Sequence, residues 1–209
     1  IDETNFSKVT HIVDELDSTK CMIKIGSVAF NSLGREIISY ISKKGFDIFL
    51  DLKLHDIPNT VKKSIEGLNT LPIKMLTVHA SGGEHMMLAA MEAASKSRIK
   101  VFGVTALTSL SEKDTTFIYK RRPSEQVDVM LDLAESVGID GVVCSPHELM
   151  FVAKRQNLLS ITPGIRFKNL DDDQKRVMTP KEAIDFGADY IVIGRPITES
   201  KNINKSLNE

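Results

Sequence analysis

Residues 49–60 read FLDLKLHDIPNT, an apolar run that takes up two charges and then breaks at a proline. In an extended strand, side chains two apart share a face, so Asp51 and Lys53 point together while Leu50 and Leu52 point the other way. Parallel strands are covered on both faces and ordinarily read as continuous apolar runs, which makes a carboxylate and an ammonium inside one informative. Lys24 raises the same question, because it interrupts Met22, Ile23 and Ile25 in another strand-like stretch. Charges are seldom buried without a partner, so Lys24 is expected to meet Asp51. Asp56 follows in the loop, and Pro58 suits the first turn of the next helix. Lys24, Asp51, Lys53 and Asp56 are therefore expected on one rim, each holding its neighbours ionised. At about 4 Å one such pair is worth on the order of 4 kcal/mol at an effective dielectric near 20, enough to fix geometry and protonation.

Short β-branched runs on either side predict strands over 21–27, 46–53, 73–80, 99–106, 140–145, 158–162 and 188–195. Helical spacing fills the intervals, as in Phe6, Val9, Ile12, Val13 and Leu16, or Val127, Met130 and Leu131, with shorter patterns over 148–155 and 181–186. Met86, Met87 and Met91 fall at that spacing and read as core. Strands returning through helices are βαβ units, and seven in series leave either an open doubly wound sheet or a closed (β/α)8 barrel. The polar residues favour the barrel: Asp51, Lys53, His79, Thr105, Thr108 and Arg195 stand at strand C-terminal ends, the rim where barrel active sites assemble. The expected fold is a single (β/α)8 barrel domain over 1–209, its first strand largely absent because helical spacing begins a few residues after Ile1.

The 209 residues are 42% hydrophobic and 26% charged, with 27 Lys and Arg against 28 Asp and Glu. That length holds a sizeable core, and the near-neutral balance disfavours a nucleic-acid or anionic-membrane surface. An anionic ligand must be small and neutralised locally. Two turns fit that need: ITPGIR with Gly164 and Arg166, and VIGRP with Gly194 and Arg195 ahead of a helix, together suit a phosphate dianion. The long charged stretch 164–178 is expected to be a lid, with Gln174 reaching a ligand. Cys21 and Cys144 are too few for a disulfide framework and point to a reducing, cytoplasmic setting. Metal-ligand spacing, a GxGxxG turn, a Walker loop and a GxSxG elbow are all missing from the sequence. His55 and His79 read as hydrogen-bonded structural histidines.

The run FLDLKLHDIPNTV carries a DxKxxDI signature, accompanied in order by IKIGS, VHASGG, VTALTS, DGVVCS, TPGIR and YIVIGRP. On these motifs the chain resembles the orotidine 5′-phosphate decarboxylase family, most of all its short bacterial form. The resemblance implies a (β/α)8 homodimer with sites at the subunit boundary, acting on orotidine 5′-monophosphate without a cofactor or metal. It implies that Lys53 is the catalytic lysine and Asp51 the carboxylate beside the substrate's own. Lys24 and Asp2 fall at ribose-contacting positions, and Asp56, Ile57 and Thr60 at positions reaching into the partner's site. Thr108 and Pro163 match the pyrimidine side, Gln174 the lid residue, and Arg166, Gly194 and Arg195 the phosphate binders. Sister enzymes of the same motif bind magnesium through an acidic residue where this chain has Lys24.

Overall fold

A computed structural model describes residues 1–167 and 178–208. Seven strands form one parallel sheet in chain order: β1 (Ile23–Gly26), β2 (Ile48–Leu54), β3 (Met75–His79), β4 (Lys100–Val104), β5 (Gly141–Val143), β6 (Leu159–Thr162) and β7 (Tyr190–Ile191). Six lie within stretches predicted from the sequence, and β2 runs one residue past its predicted 46–53. Residue 1 lies along the outer edge of β1, its backbone N–H donating to Lys24 O at 2.6 Å and its carbonyl accepting from Gly26 N at 3.3 Å. Strand order, parallel register and the helices between strands are those of a (β/α)8-barrel fold, with seven strands among the described residues and β1 and β7 at the sheet's two edges.

The helices are α1 (Phe6–Asp14), α2 (Ser27–Lys43), α3 (Pro58–Leu68), α4 (Glu84–Ser95), α5 (Glu112–Tyr119), α6 (Pro123–Val137), α7 (Leu149–Val152), α8 (Pro180–Asp185), α9 (Arg195–Thr198) and α10 (Ile203–Leu207). Local chemistry starts them. The Asn5 side chain accepts from Lys8 N ahead of α1, and Pro58 and Pro123 open α3 and α6. α5 was not expected from apolar spacing. Its sequence signal is the Ser111-x-x-Asp114 capping box, in which each side chain bonds the other residue's backbone.

Two apolar layers follow from strand alternation. Leu50, Leu76, Val78 and Val101 face outward and pack with Ile37, Ile41, Ile65, Met86 and Met87 of the helices. Phe49, Met75, Phe102 and Ile161 face inward and fill the barrel. Below the barrel, Asp140 accepts from Val101 N at 2.8 Å and Asp189 from Ser160 N at 2.8 Å, so carboxylates entering β5 and β7 cap the neighbouring strands. Those charges serve the fold. β7 is shorter than the predicted 188–195, because regular pairing ends after Ile191 and the chain turns into α9 at Arg195.

Candidate active site

Asp51 is the centre of the site. Its side chain, about 10% exposed, meets Lys53 Nζ at 2.8 Å through both oxygens and Lys24 Nζ at 3.2 Å through Oδ2. Thr77 Oγ1, from the next strand, donates to Oδ1 at 2.9 Å. Lys24 in turn lies 3.7 Å from Asp2, giving the alternating row Asp2, Lys24, Asp51, Lys53. Burial alone pushes the Asp51 carboxyl upward, but the two ammonium groups and two hydrogen bonds outweigh it and hold the group below the usual carboxylate range. The site thus keeps a fixed anion with a cation on either side.

The expected meeting of Asp51 and Lys53 occurs, but not on an unbroken ladder. β2 and β3 pair Leu50 with Leu76 and then Leu54 with Val78, so four residues of β2 advance against two of β3. Within that bulge Lys53 adopts φ +52°, a left-handed conformation that costs a non-glycine residue about 1 to 3 kcal/mol. Its N–H donates to Thr77 Oγ1 at 2.9 Å. Thr77 is fully buried and was not singled out in the sequence, where MLTVH reads as an ordinary β-branched strand.

Asp56 departs from the expected foursome. It is exposed in the turn after β2, and its carboxylate accepts from the N–H of Ile57 at 2.7 Å instead of joining Lys53. The chain has left the strand by then, so two-residue alternation no longer aims the side chain inward. Asp2 takes the fourth place in the row. Gly26, which ends β1, makes room for it: a Cβ there would fall 1.8 Å from Asp2 Oδ1.

An opening of about 760 Å³ separates the edge strands β1 and β7 and is lined mainly by apolar side chains such as Met22, Phe49, Ile161, Ile12 and Ile197, together with Asp2, Lys24, Gly194 and Arg195. Asp51, Lys53, Thr108, Pro163 and Arg166 are not among the residues that line it. Gly194 has open room where a Cβ would project, and exposed Arg195 opens α9. Arg166 is buried, donating from Nη1 to Ile165 O at 3.0 Å. Its backbone N–H pairs with Met178 O at 3.0 Å, and Met178 N with Gly164 O at 3.2 Å, so the ends of the expected lid are pinned side by side. Gln174 lies outside the described residues. Pro163 and Thr108 are half-buried in turns after β6 and β4. Among the described residues, the side chains of His55 and His79 lack the hydrogen bonds expected of them. Their rings lie 5.1 Å apart, and burial, then His55 and Lys53, lowers the His79 pKa. Among the described residues no group of three or more His, Cys, Asp or Glu is placed to hold a metal.

Fold and rim together define an enzyme built on a (β/α)8 barrel, with its charged machinery at the C-terminal ends of the strands. Residues 1–209 match the model of the orotidine 5′-phosphate decarboxylase / HUMPS family. The orotidine 5′-phosphate decarboxylase of Saccharophagus degradans is 44% identical over 205 residues, covering 95% of this chain and 86% of its own. That of Aliivibrio fischeri is 41% identical over 216 residues, covering 100% and 92%. The crystal structure of orotidine 5′-phosphate decarboxylase from Lactobacillus acidophilus superposes with a TM-score of 0.87 at 32% identity, over 100% of this chain and 93% of the other. The chain belongs to the orotidine 5′-phosphate decarboxylase / HUMPS family and is an enzyme of it, its named relatives being carboxy-lyases.

Proposed function

We propose that the chain converts orotidine 5′-monophosphate to uridine 5′-monophosphate in pyrimidine biosynthesis, without a cofactor, using Lys53 as proton donor. The observation that carries this reading is the Lys53 ammonium held at 2.8 Å from both oxygens of Asp51, with Lys24 on the other side of the carboxylate. Losing carbon dioxide from C6 leaves an electron pair in the plane of the pyrimidine ring, with no adjacent group to delocalise it. A fixed cation substitutes for that sink. Lys53 stabilises the charge growing at C6 and then protonates it, and Asp51 beside the departing carboxylate favours its loss. The most powerful enzymes lower barriers by about 20 kcal/mol, more than one ion pair supplies, so binding energy from the rest of the substrate contributes. In this reading Asp2 and Lys24 hold the ribose, Thr108 and Pro163 the base, Gly194, Arg195 and Arg166 the phosphate, and Gln174 bridges base and phosphate.

The same reading makes residues 1–209 one barrel domain that works as a homodimer, with Asp56, Ile57 and Thr60 entering the partner's site. Ile57, 66% exposed at the rim beside exposed Asp56 and Thr60, supports it. Cys21 and Cys144 are free thiols, which supports a reducing, cytoplasmic compartment. The alternative within the family is a magnesium-dependent sugar-phosphate enzyme; an ammonium at Lys24, 3.2 Å from Asp51, repels the cation. The deciding measurement follows the ultraviolet change as orotidine 5′-monophosphate is decarboxylated, with and without EDTA. Turnover indifferent to the chelator is expected. No turnover, or turnover abolished by EDTA, overturns the reading.

A further inference from the structure

The hydroxyl of Thr77 occupies a position that the barrel's apolar packing does not explain. Thr77 is fully buried in the middle of β3, between Leu76 and Val78, whose side chains pack outward against the helices. A threonine hydroxyl has one proton to donate and lone pairs to accept with. Here the proton goes to Asp51 Oδ1 at 2.9 Å, and a lone pair takes the backbone N–H of Lys53 at 2.9 Å. Both bonds are made to the two residues of the reacting pair, and both cross from β3 to β2 at the place where the ladder slips between Leu50 and Leu54. The Lys53 N–H lies within this irregularity, and the Thr77 side chain supplies its acceptor.

We propose that Thr77 is the positioning residue of the site, setting the Lys53 ammonium by pinning its left-handed backbone and fixing the plane of the Asp51 carboxylate from the opposite side. Lys53 at φ +52° is a conformation that persists only where the surroundings over-determine it. Without Thr77, the constraint from β3 is lost on both partners at once. Asp51 keeps its two cations but loses its hydrogen bond from β3, and the left-handed backbone of Lys53 loses its acceptor. The inference rests on the proposed decarboxylation for its kinetic consequence, though not for its geometric one.

The test uses Thr77→Val, which keeps the shape and removes the hydroxyl, beside Thr77→Ser, which keeps the hydroxyl; Thr77→Ala replaces the first where Thr77→Val does not fold. With orotidine 5′-monophosphate, Thr77→Val is expected to lose about ten- to a hundredfold in kcat with KM within a few fold, since phosphate and ribose contacts are untouched. Thr77→Ser is expected to restore most of kcat. Acylation of Lys53 by an amine-reactive anhydride, read by peptide mass spectrometry, is expected to be several-fold faster in Thr77→Val than in the parent or in Thr77→Ser. Unchanged kcat and unchanged Lys53 reactivity in Thr77→Val overturn the proposal, as does a Thr77→Ser chain no better than Thr77→Val. If the parent itself fails to decarboxylate the nucleotide, the functional reading falls and the acylation rates alone decide the role of Thr77.

Discussion

The corner between β2 and β3 and the corner between β7 and α9 differ in how deeply their charged groups are buried. At the first, Asp51 is nearly buried, two lysines and Thr77 converge on its carboxylate, and even the strained backbone of Lys53 is fixed by a neighbour's side chain. At the second, Gly194 has open room around it and Arg195 is exposed. Two glycines show the same contrast: Gly26 closes β1 at a spot where a Cβ would strike Asp2 at 1.8 Å, whereas nothing lies within 4 Å of one at Gly194. A group that stabilises charge as it forms must be in place beforehand, because reorganising at the moment of reaction costs the benefit. A group that grips a phosphate contributes through binding and tolerates being arranged by its ligand. Under the proposed function, one end of the site serves the chemistry and the other the capture of phosphate.

The hardest break of that contrast comes from Lys53→Ala. Turnover of orotidine 5′-monophosphate is expected to fall by at least about a thousandfold while the chain still folds, as removing both the electrostatic partner and the proton donor predicts. Retention of most activity ends the assignment. The same variant tests the reach of Asp56, whose carboxylate turns away from its own chain's Lys53. Mixed with an inactive Asp56→Ala chain, Lys53→Ala is expected to regain activity, since one site of each heterodimer then contains both intact residues. No rescue after demonstrated subunit exchange removes Asp56 from a shared site.

How far each corner was legible in the sequence follows from whether its contacts are local. The seven strands come from short β-branched runs, and the closeness of Asp51 and Lys53 from two-residue alternation, both of which a linear reading captures. The pairing of Lys24 with Asp51 followed from the cost of an unpaired buried charge. The bulge in β2 and the work of Thr77 depend on the register between two strands more than twenty residues apart, and a threonine in an apolar run carries no mark of it. Asp56 was expected from the loop onto the same rim, but in that turn its carboxylate satisfies a local N–H instead. Helix α5 was missed because its signal is polar, a capping box with one buried residue, Thr115, behind it.

The pinned corner also carries a pH signature. Asp51 has a folded-state pKa below its unfolded value, so its contribution to stability is complete above about pH 4 and is lost as pH falls through the lower folded value. Asp51→Asn is expected to lower stability at neutral pH by about 1 to 3 kcal/mol, since Lys24 and Lys53 then face each other across a neutral amide. The gap between parent and variant should narrow below pH 4, where the parent's carboxylate takes up its proton. Thermal unfolding of both chains from pH 2 to pH 8 measures this, and a constant gap over the whole range contradicts an ionised Asp51 at the centre of the cluster.

At the open corner the expected loss is smaller and of another kind. Arg195→Ala should leave the Asp51 and Lys53 geometry alone, because Arg195 opens α9 after β7, five strands along the sheet from β2. If it binds the phosphate dianion, kcat/KM for orotidine 5′-monophosphate falls by about ten- to a hundredfold, the worth of a charge-assisted hydrogen bond, with most of the change in KM. The unphosphorylated nucleoside supplies the control. Parent and Arg195→Ala should decarboxylate orotidine at the same slow rate, since the deleted contact has no counterpart on that substrate. An equal loss on nucleotide and nucleoside means that Arg195 supports the barrel, and the division between a rigid reacting corner and an adaptable gripping one does not hold.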